Sequence, residues 1–297
     1  MKSQYDFKGV ISALPTPFLD KKVDFESLTK MVEFQLKNGI NGFVVNGTTA
    51  ESPTLTWQEV EKIYETVRNI SGQKVPVIIG TGSNSTDETI EKTKKATDLG
   101  ADAVLVVVPY YNKPPQRGLQ AHFKSVAEST RIPVILYNVP GRTITAMSSE
   151  TVLSLSEIKN IIAIKEASGD LAFDEKLHSL LPKDFIMLSG DDPTYVPFLK
   201  LGGHGLISVM SNMITADCVR WTKLAADKKW AEAEQDFAKY KKLISLMYVE
   251  ANPIPLKWMM HKMGLFKSPE MRLPLMALEG SHHDQIMSEM KQLGIVQ

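Results

Sequence analysis

Eight short runs of apolar, mostly β-branched residues recur along the chain, and their rhythm limits the fold more than any other feature. They are V-I-S-A-L-P-T-P-F (10–18), G-F-V-V-N-G (42–47), V-P-V-I-I-G (75–80) and A-V-L-V-V-V-P (103–109). The series continues with P-V-I-L-Y-N (133–138), I-I-A-I-K-E-A (161–167), F-I-M-L-S-G (185–190) and G-L-I-S-V (205–209). Each run is nearly continuous in hydrophobicity rather than alternating, as expected of parallel strands whose outer face is covered. Amphipathic stretches lie between them. In 25–38, Leu28, Met31, Val32 and Leu36 share one helical face. In 86–99, Thr86 reads as the N-cap and Gly100 stands just past the end.

Eight strand–helix alternations predict an α/β fold, a closed (β/α)8 TIM barrel. Periodicity alone also admits an open doubly wound sheet, but no G-x-G-x-x-G follows the first strand to support a dinucleotide-binding version. The stretch from 210 to 297 is longer than one closing helix. Its helical patterns at 217–227, 230–249, 255–263 and 282–293 are read as the eighth barrel helix plus a small C-terminal helical region. The division expected is a catalytic barrel over 1–225 and a helical region over 226–297. Trp221, Trp230 and Trp258 sit at helical spacing and read as core packing.

Composition narrows the function classes. The 297 residues carry 34 basic and 34 acidic side chains, so the formal net charge is zero. That argues against a general nucleic-acid or anionic-membrane binder, since both need a basic surface. Cys218 is the single cysteine, which rules out an intrachain disulfide and a cysteine-based metal cluster. No run approaches the ~18 apolar residues of a membrane span, and the first residues lack a signal-peptide core. A cytoplasmic location is the expectation.

In a barrel, catalytic groups sit at the C-terminal ends of the strands. That filter selects Thr48, Thr49 and Glu51 after the second run, and Tyr110 and Tyr111 after the fourth. It also selects Tyr137, Asn138 and Arg142 around the end of the fifth, Lys165 and Glu166 in the sixth, and Asp191 and Asp192 after the seventh. It rejects L-G-G-H-G at 201–205, which precedes the eighth strand and reads as a tight turn rather than a phosphate cradle.

Lys165 is the most informative of these. It ends the run Ile161-Ile162-Ala163-Ile164, where an ammonium is poorly solvated. Desolvation favours a neutral amine, and a neutral amine can attack a ketone to form a Schiff base. The competing reading pairs Lys165 with an interior carboxylate such as Glu166 or Glu51, although strand alternation points Lys165 and Glu166 to opposite faces. Tyr137 could shuttle a proton, with Thr48 or Tyr111 as relay, or it could be an amphipathic core residue. Gly47-Thr48-Thr49 offers backbone N–H groups and two hydroxyls suited to a small carboxylate. Arg142, on a Gly-led loop, could hold a second carboxylate or lie free on the surface. Asp191-Asp192-Pro193 reads as a helix start rather than a metal site. His282-His283 lacks helical ligand spacing and no H-E-x-x-H occurs, so no metal is expected.

Taken together, G-T-T-A-E-S (47–52), P-Y-Y (109–111), Y-N-V-P-G-R-T (137–143), I-K-E-A (164–167) and S-G-D-D (189–192) resemble, in order, the motifs of the dihydrodipicolinate synthase / N-acetylneuraminate lyase family of pyruvate-dependent class I aldolases. The likeness runs over essentially the whole chain. It implies a covalent Schiff base between pyruvate and Lys165 with no other cofactor, and proton transfer by Tyr137. It further implies a relay through Thr48 to Tyr111 reaching in from a neighbouring subunit, and a pyruvate carboxylate held by Thr48 and Thr49. Gly190 and Ile207 match positions lining the site. Arg142 matches the position that receives the carboxylate of L-aspartate-4-semialdehyde, and this loop favours the synthases over N-acetylneuraminate or 2-keto-3-deoxy-acid lyases. A homotetramer is implied as well. Trp57, Asn84, Glu88 and Tyr110 match an effector site for lysine. There Val60 replaces the usual polar partner, so weak or absent lysine inhibition is expected. Ala50 also departs from the family, which usually has glycine there; a positive φ at that position would cost alanine ~1 kcal/mol.

Overall fold

The computed structural model describes residues 4–297. Eight strands form a closed barrel in which each is hydrogen-bonded to the next in sequence and the last to the first. They are β1 (Gly9–Ala13), β2 (Gly42–Val45), β3 (Val77–Gly80), β4 (Ala103–Val107), β5 (Val134–Asn138), β6 (Ile161–Glu166), β7 (Ile186–Ser189) and β8 (Gly205–Ser208). All eight expected runs are strands, and closure excludes the open sheet. The intervening helices are α1 (Phe25–Lys37), α2 (Trp57–Ser71), α3 (Thr86–Asp98), α4 (Gln116–Glu128), α5 (Ser149–Ser156), α6 (Leu171–Leu180), α7 (Tyr195–Lys200) and α8 (Thr215–Ala226). Four more follow: α9 (Trp230–Ala238), α10 (Lys241–Leu246), α11 (Ile254–Lys262) and α12 (His283–Gln292). No helix is long and apolar enough to cross a membrane among the described residues.

By internal packing the chain forms two compact units, each discontinuous in sequence. The first takes in 4–11, 41–44 and 76–207, and the second 12–40, 45–75 and 208–297. In the first unit, Ile78, Val104, Ile135 and Ile164 are fully buried strand residues. The N-cap of α3 is Ser85, whose hydroxyl accepts from Glu88 N–H, so Thr86 is the first helical residue and not the cap. Gly100 follows α3 with φ of +84°, a conformation suited to glycine. The 201–205 segment is the expected turn, with Gly202 at φ +98°.

One irregularity fixes the phase of the first unit. Val134 pairs with Ile161, but Ile135 pairs with Ala163, so Ile162 is an extra residue in β6. This bulge rephases everything after it. Tyr137 then lies beside Lys165, and Asn138 beside Glu166. Without the extra residue Lys165 would stand beside Asn138, on the other side of the sheet.

In the second unit, Asp24 caps α1 by accepting from the Glu26 and Ser27 N–H groups, and Thr56 with Glu59 forms a capping box at α2. The single helix expected over 230–249 is instead two. The chain breaks at Lys239 and Tyr240, where the Tyr240 hydroxyl donates to Asp217 at 2.9 Å and its ring packs edge-on against Trp221. Trp221 and Trp258 are buried as expected of core residues, whereas Trp230 is only half-buried.

Candidate active site

Lys165 and Tyr137 are neighbours across β6 and β5, each 6% exposed, with the lysine Nζ 4.3 Å from the centre of the phenol ring. Among the described residues no carboxylate lies within ion-pair distance of Lys165. Space for its side chain comes from Gly190, just past β7. A Cβ there would sit 2.7 Å from the Lys165 Cε and 2.6 Å from the Ala167 Cβ. A side chain at 190 would collide with both Ala167 and the Lys165 chain, so glycine leaves the space that the lysine occupies.

The alternative of a lysine paired to an interior carboxylate fails for both named partners. Glu166 points to the opposite face, where its Oε2 accepts from Asn138 Nδ2 at 2.7 Å and its Oε1 from Ser168 N–H at 2.6 Å. Asn138 Oδ1 in turn accepts from Met147 N–H at 3.0 Å, tying the loop after β5 to this pair. Burial pushes the Glu166 carboxyl up, against the pull of these hydrogen bonds. Behind it on α6, burial raises Asp174 to about 7, with Glu166, Asp170 and Asp191 adding to the shift.

Glu51 has a different lysine. Lys257 of α11 donates to Glu51 Oε1 at 2.7 Å, with both side chains wholly buried. The Arg272 N–H donates to the other oxygen at 2.9 Å, and the Arg272 guanidinium forks onto Glu59 at 2.6 and 2.9 Å. Lys257 and Arg272 both lie over the Phe18 ring, each 4.3 Å from its centre. Burial pushes the Lys257 ammonium down to about 8, against the attraction of Glu51. Thr48 and Thr49 occupy a single 3-10 turn, Thr48–Ala50, in this second unit. Thr16 Oγ1 donates to the Ala50 carbonyl at 2.8 Å, and Asn252 Nδ2 donates to Thr49 Oγ1 at 3.0 Å. The left-handed residue of the turn is Glu51, at φ 58°, and not Ala50. The condition under which alanine would be strained is thus absent.

Arg142 lies exposed in a one-turn helix, Pro140–Thr143, directly after β5. Ile207 is buried in β8. Tyr111 is 87% exposed with φ of 77°, and Tyr110 is 39% exposed. No hydrogen bond joins Tyr137 to Tyr111 among the described residues. Asp191 Oδ2 accepts from Thr194 Oγ1 at 2.7 Å at the start of a 3-10 turn, the helix-start role expected of it. Among the described residues no group of three or more His, Cys, Asp or Glu side chains is placed to hold a metal ion. Of the effector-position residues, Glu88 accepts from Ser83 and pairs with Lys92, Asn84 gives its carbonyl to Asn112, and Trp57 opens α2. Val60 is buried on that helix.

Sequence reasoning missed Asn252, Lys257, Arg272 and Asp174. Lys257 carried the same signal as Lys165, a cation inside an apolar run, Ile254-Pro255-Leu256-Lys257-Trp258-Met259-Met260. The others carried none, because their partners are more than 200 residues away or depend on which helix face is buried.

The dihydrodipicolinate synthetase family model matches residues 6–293. The chain is 51% identical to a 4-hydroxy-tetrahydrodipicolinate synthase of Bdellovibrio bacteriovorus over 291 residues, 98% of this chain and 99% of that one. Among solved structures it is similar to the chloride-inhibited dihydrodipicolinate synthase of Acinetobacter baumannii complexed with pyruvate. The TM-score is 0.95 at 41% identity, covering 97% of this chain and 99% of that one. It is also similar to the enzyme of Cyanidioschyzon merolae with lysine bound, at TM-score 0.94 and 40% identity, covering 99% and 100%.

Proposed function

The chain belongs to the dihydrodipicolinate synthetase family, and from that premise we propose that Lys165 is the residue through which it works. The reaction is the condensation of pyruvate with L-aspartate-4-semialdehyde to 4-hydroxy-tetrahydrodipicolinate, in diaminopimelate and lysine synthesis, and the enzyme is a lyase of the class I aldolase type. The observation that carries the assignment of Lys165 is its setting: a buried amine with no carboxylate partner among the described residues, beside a phenol, in space that Gly190 leaves open.

Lys165 Nζ attacks the ketone carbon of pyruvate, and the carbinolamine loses water to give the iminium. Tyr137 donates the proton that leaves with the hydroxyl and takes one back as the methyl group becomes an enamine carbon. That carbon then attacks the aldehyde of the second substrate, whose oxygen takes up a proton, and the amine of the semialdehyde displaces Lys165 from the imine carbon as the ring closes, freeing the lysine. Thr48 and Thr49 hold the pyruvate carboxylate, and Arg142 receives the carboxylate of the semialdehyde. Thr48 relays protons between Tyr137 and the Tyr111 of a neighbouring subunit, a role that accords with the exposure of Tyr111. Gly190 and Ile207 line the site. The working form in this reading is a cytoplasmic homotetramer with no cofactor beyond the covalent pyruvate. The chemistry belongs to a barrel over 1–225, with 226–297 as a helical region. Inhibition by lysine near Trp57, Asn84, Glu88 and Tyr110 is weak or absent in this reading, because Val60 replaces the usual polar partner.

The test is a coupled assay with pyruvate and L-aspartate-4-semialdehyde, run beside N-acetylneuraminate and 2-keto-3-deoxy-acid cleavage. Turnover of the semialdehyde with none of the lyase substrates is expected. The reverse pattern would move the chain to the lyase branch of the family.

A further inference from the structure

The turn assigned to the pyruvate carboxylate is held by residues from far along the chain. Thr49 is 2% exposed, and its Oγ1 accepts from the Asn252 amide. Among the described residues no group accepts the Thr49 hydroxyl proton. A hydroxyl has one proton to give, and accepting an N–H bond fills one lone-pair direction. With Asn252 donating to it, the Thr49 hydroxyl is set as a donor, and donors are what a carboxylate requires. Two residues on, Glu51 adopts a left-handed conformation that is costly for a residue with a side chain. Its carboxylate is clamped by Lys257 Nζ and the Arg272 N–H, and Thr16 fixes the intervening Ala50 carbonyl. Each residue of the turn from Thr49 to Glu51 is thus tied by a separate hydrogen bond.

We propose that Asn252 is a positioning residue for anion recognition, acting through Thr49 by fixing the direction in which its hydroxyl donates. The proposal rests on the reading of Thr49 as a pyruvate-carboxylate ligand. It assigns to Asn252 part of the enzyme's preference for a 2-keto acid over a ketone without the acid group. The Lys257–Glu51–Arg272 cluster supplies the rigid base on which this setting depends.

Asn252→Asp keeps the shape but replaces the donor with an acceptor. The Thr49 proton turns inward to the new carboxylate, and a negative charge faces the substrate acid. Pyruvate KM should rise about tenfold or more, with kcat reduced less than about threefold and the semialdehyde KM unchanged. Lowering the pH should relieve the effect, because a protonated carboxyl can donate to Thr49 again. Asn252→Ala, which only removes the donor, should raise pyruvate KM about fivefold, and should add nothing in a Thr49→Val background. Borohydride trapping of Lys165 at saturating pyruvate separates the two readings. Retained trapping with pyruvate KM within twofold of wild type in Asn252→Asp would overturn the role of Asn252. If Asn252→Asp fails to fold, additive effects of Asn252→Ala and Thr49→Val would overturn it equally. Absence of trapping in the wild-type enzyme would instead overturn the Schiff-base reading beneath it.

Discussion

Two lysines are buried among the described residues, and they have opposite surroundings. Lys257 on α11 is completely enclosed, donates to Glu51 and holds a turn in place. Lys165 on β6 is nearly as buried but faces the Tyr137 ring, with no carboxylate at hand among the described residues. Burial brings the Lys257 ammonium down to about 8, against the attraction of Glu51, yet its partners make it a structural cation. The proposed nucleophile is the other. A nucleophile needs an unshared electron pair and an open approach, and Lys257 Nζ is committed to Glu51 with no exposed surface. The lesson is that burial marks a lysine as unusual, and its partners decide whether it is a structural cation or a reactive amine.

Exchanging each lysine should break the two regions in different ways. Lys165→Arg retains charge and approximate size but cannot form an imine, so activity should fall by about 10³-fold or more. Steady-state kinetics beside thermal unfolding should show that loss with little change in Tm. Lys257→Met leaves Glu51 buried without its cation, which should cost on the order of 3–5 kcal/mol and lower Tm by roughly 5–10 °C. The folded fraction should still be labelled at Lys165. Combining Lys257→Met with Glu51→Gln should recover part of the stability, because no unpaired charge remains.

Smaller changes sharpen the account of the first unit. Arg142→Ala should raise the semialdehyde KM by the equivalent of about 2–4 kcal/mol while leaving pyruvate adduct formation intact. Equal weakening for both substrates would show that Arg142 supports the loop rather than a substrate. The smallest expected effect concerns Asp174, 3% exposed and raised from 3.8 to about 7. Because its folded-state pKa lies above the unfolded value, its charge costs no stability below about pH 4. The penalty grows between the two values and is complete above pH 7. Asp174→Asn should therefore stabilise the enzyme by about 1–3 kcal/mol at pH 8 and by little at pH 4, as read from denaturant unfolding at the two pH values.

The same comparison explains what the sequence could reveal. The strands were legible because continuous apolar runs bounded by turn residues have few alternative fates. Lys165 was legible because a cation at the end of such a run contradicts its surroundings. Lys257 contradicted its surroundings just as much, but it lay in a stretch assigned wholly to helix packing. The bulge at Ile162 was hidden, because an extra isoleucine among isoleucines changes no pattern, yet it decides that Lys165 meets Tyr137. In the turn after β2 the residue type is unusual at Ala50, but the left-handed backbone is not there. It falls at Glu51, whose left-handed backbone depends on Lys257 and Arg272, more than 200 residues away. The break between α9 and α10 was equally out of reach, since it depends on Tyr240 meeting Asp217.

The measurement closest to the central claim is reductive trapping with pyruvate and borohydride, followed by peptide mapping of both lysines. The account predicts one reduced pyruvate adduct, on the peptide containing Lys165, with the Lys257 peptide unmodified and no label in Lys165→Arg. An adduct on Lys257, or labelling that persists in Lys165→Arg, would contradict it.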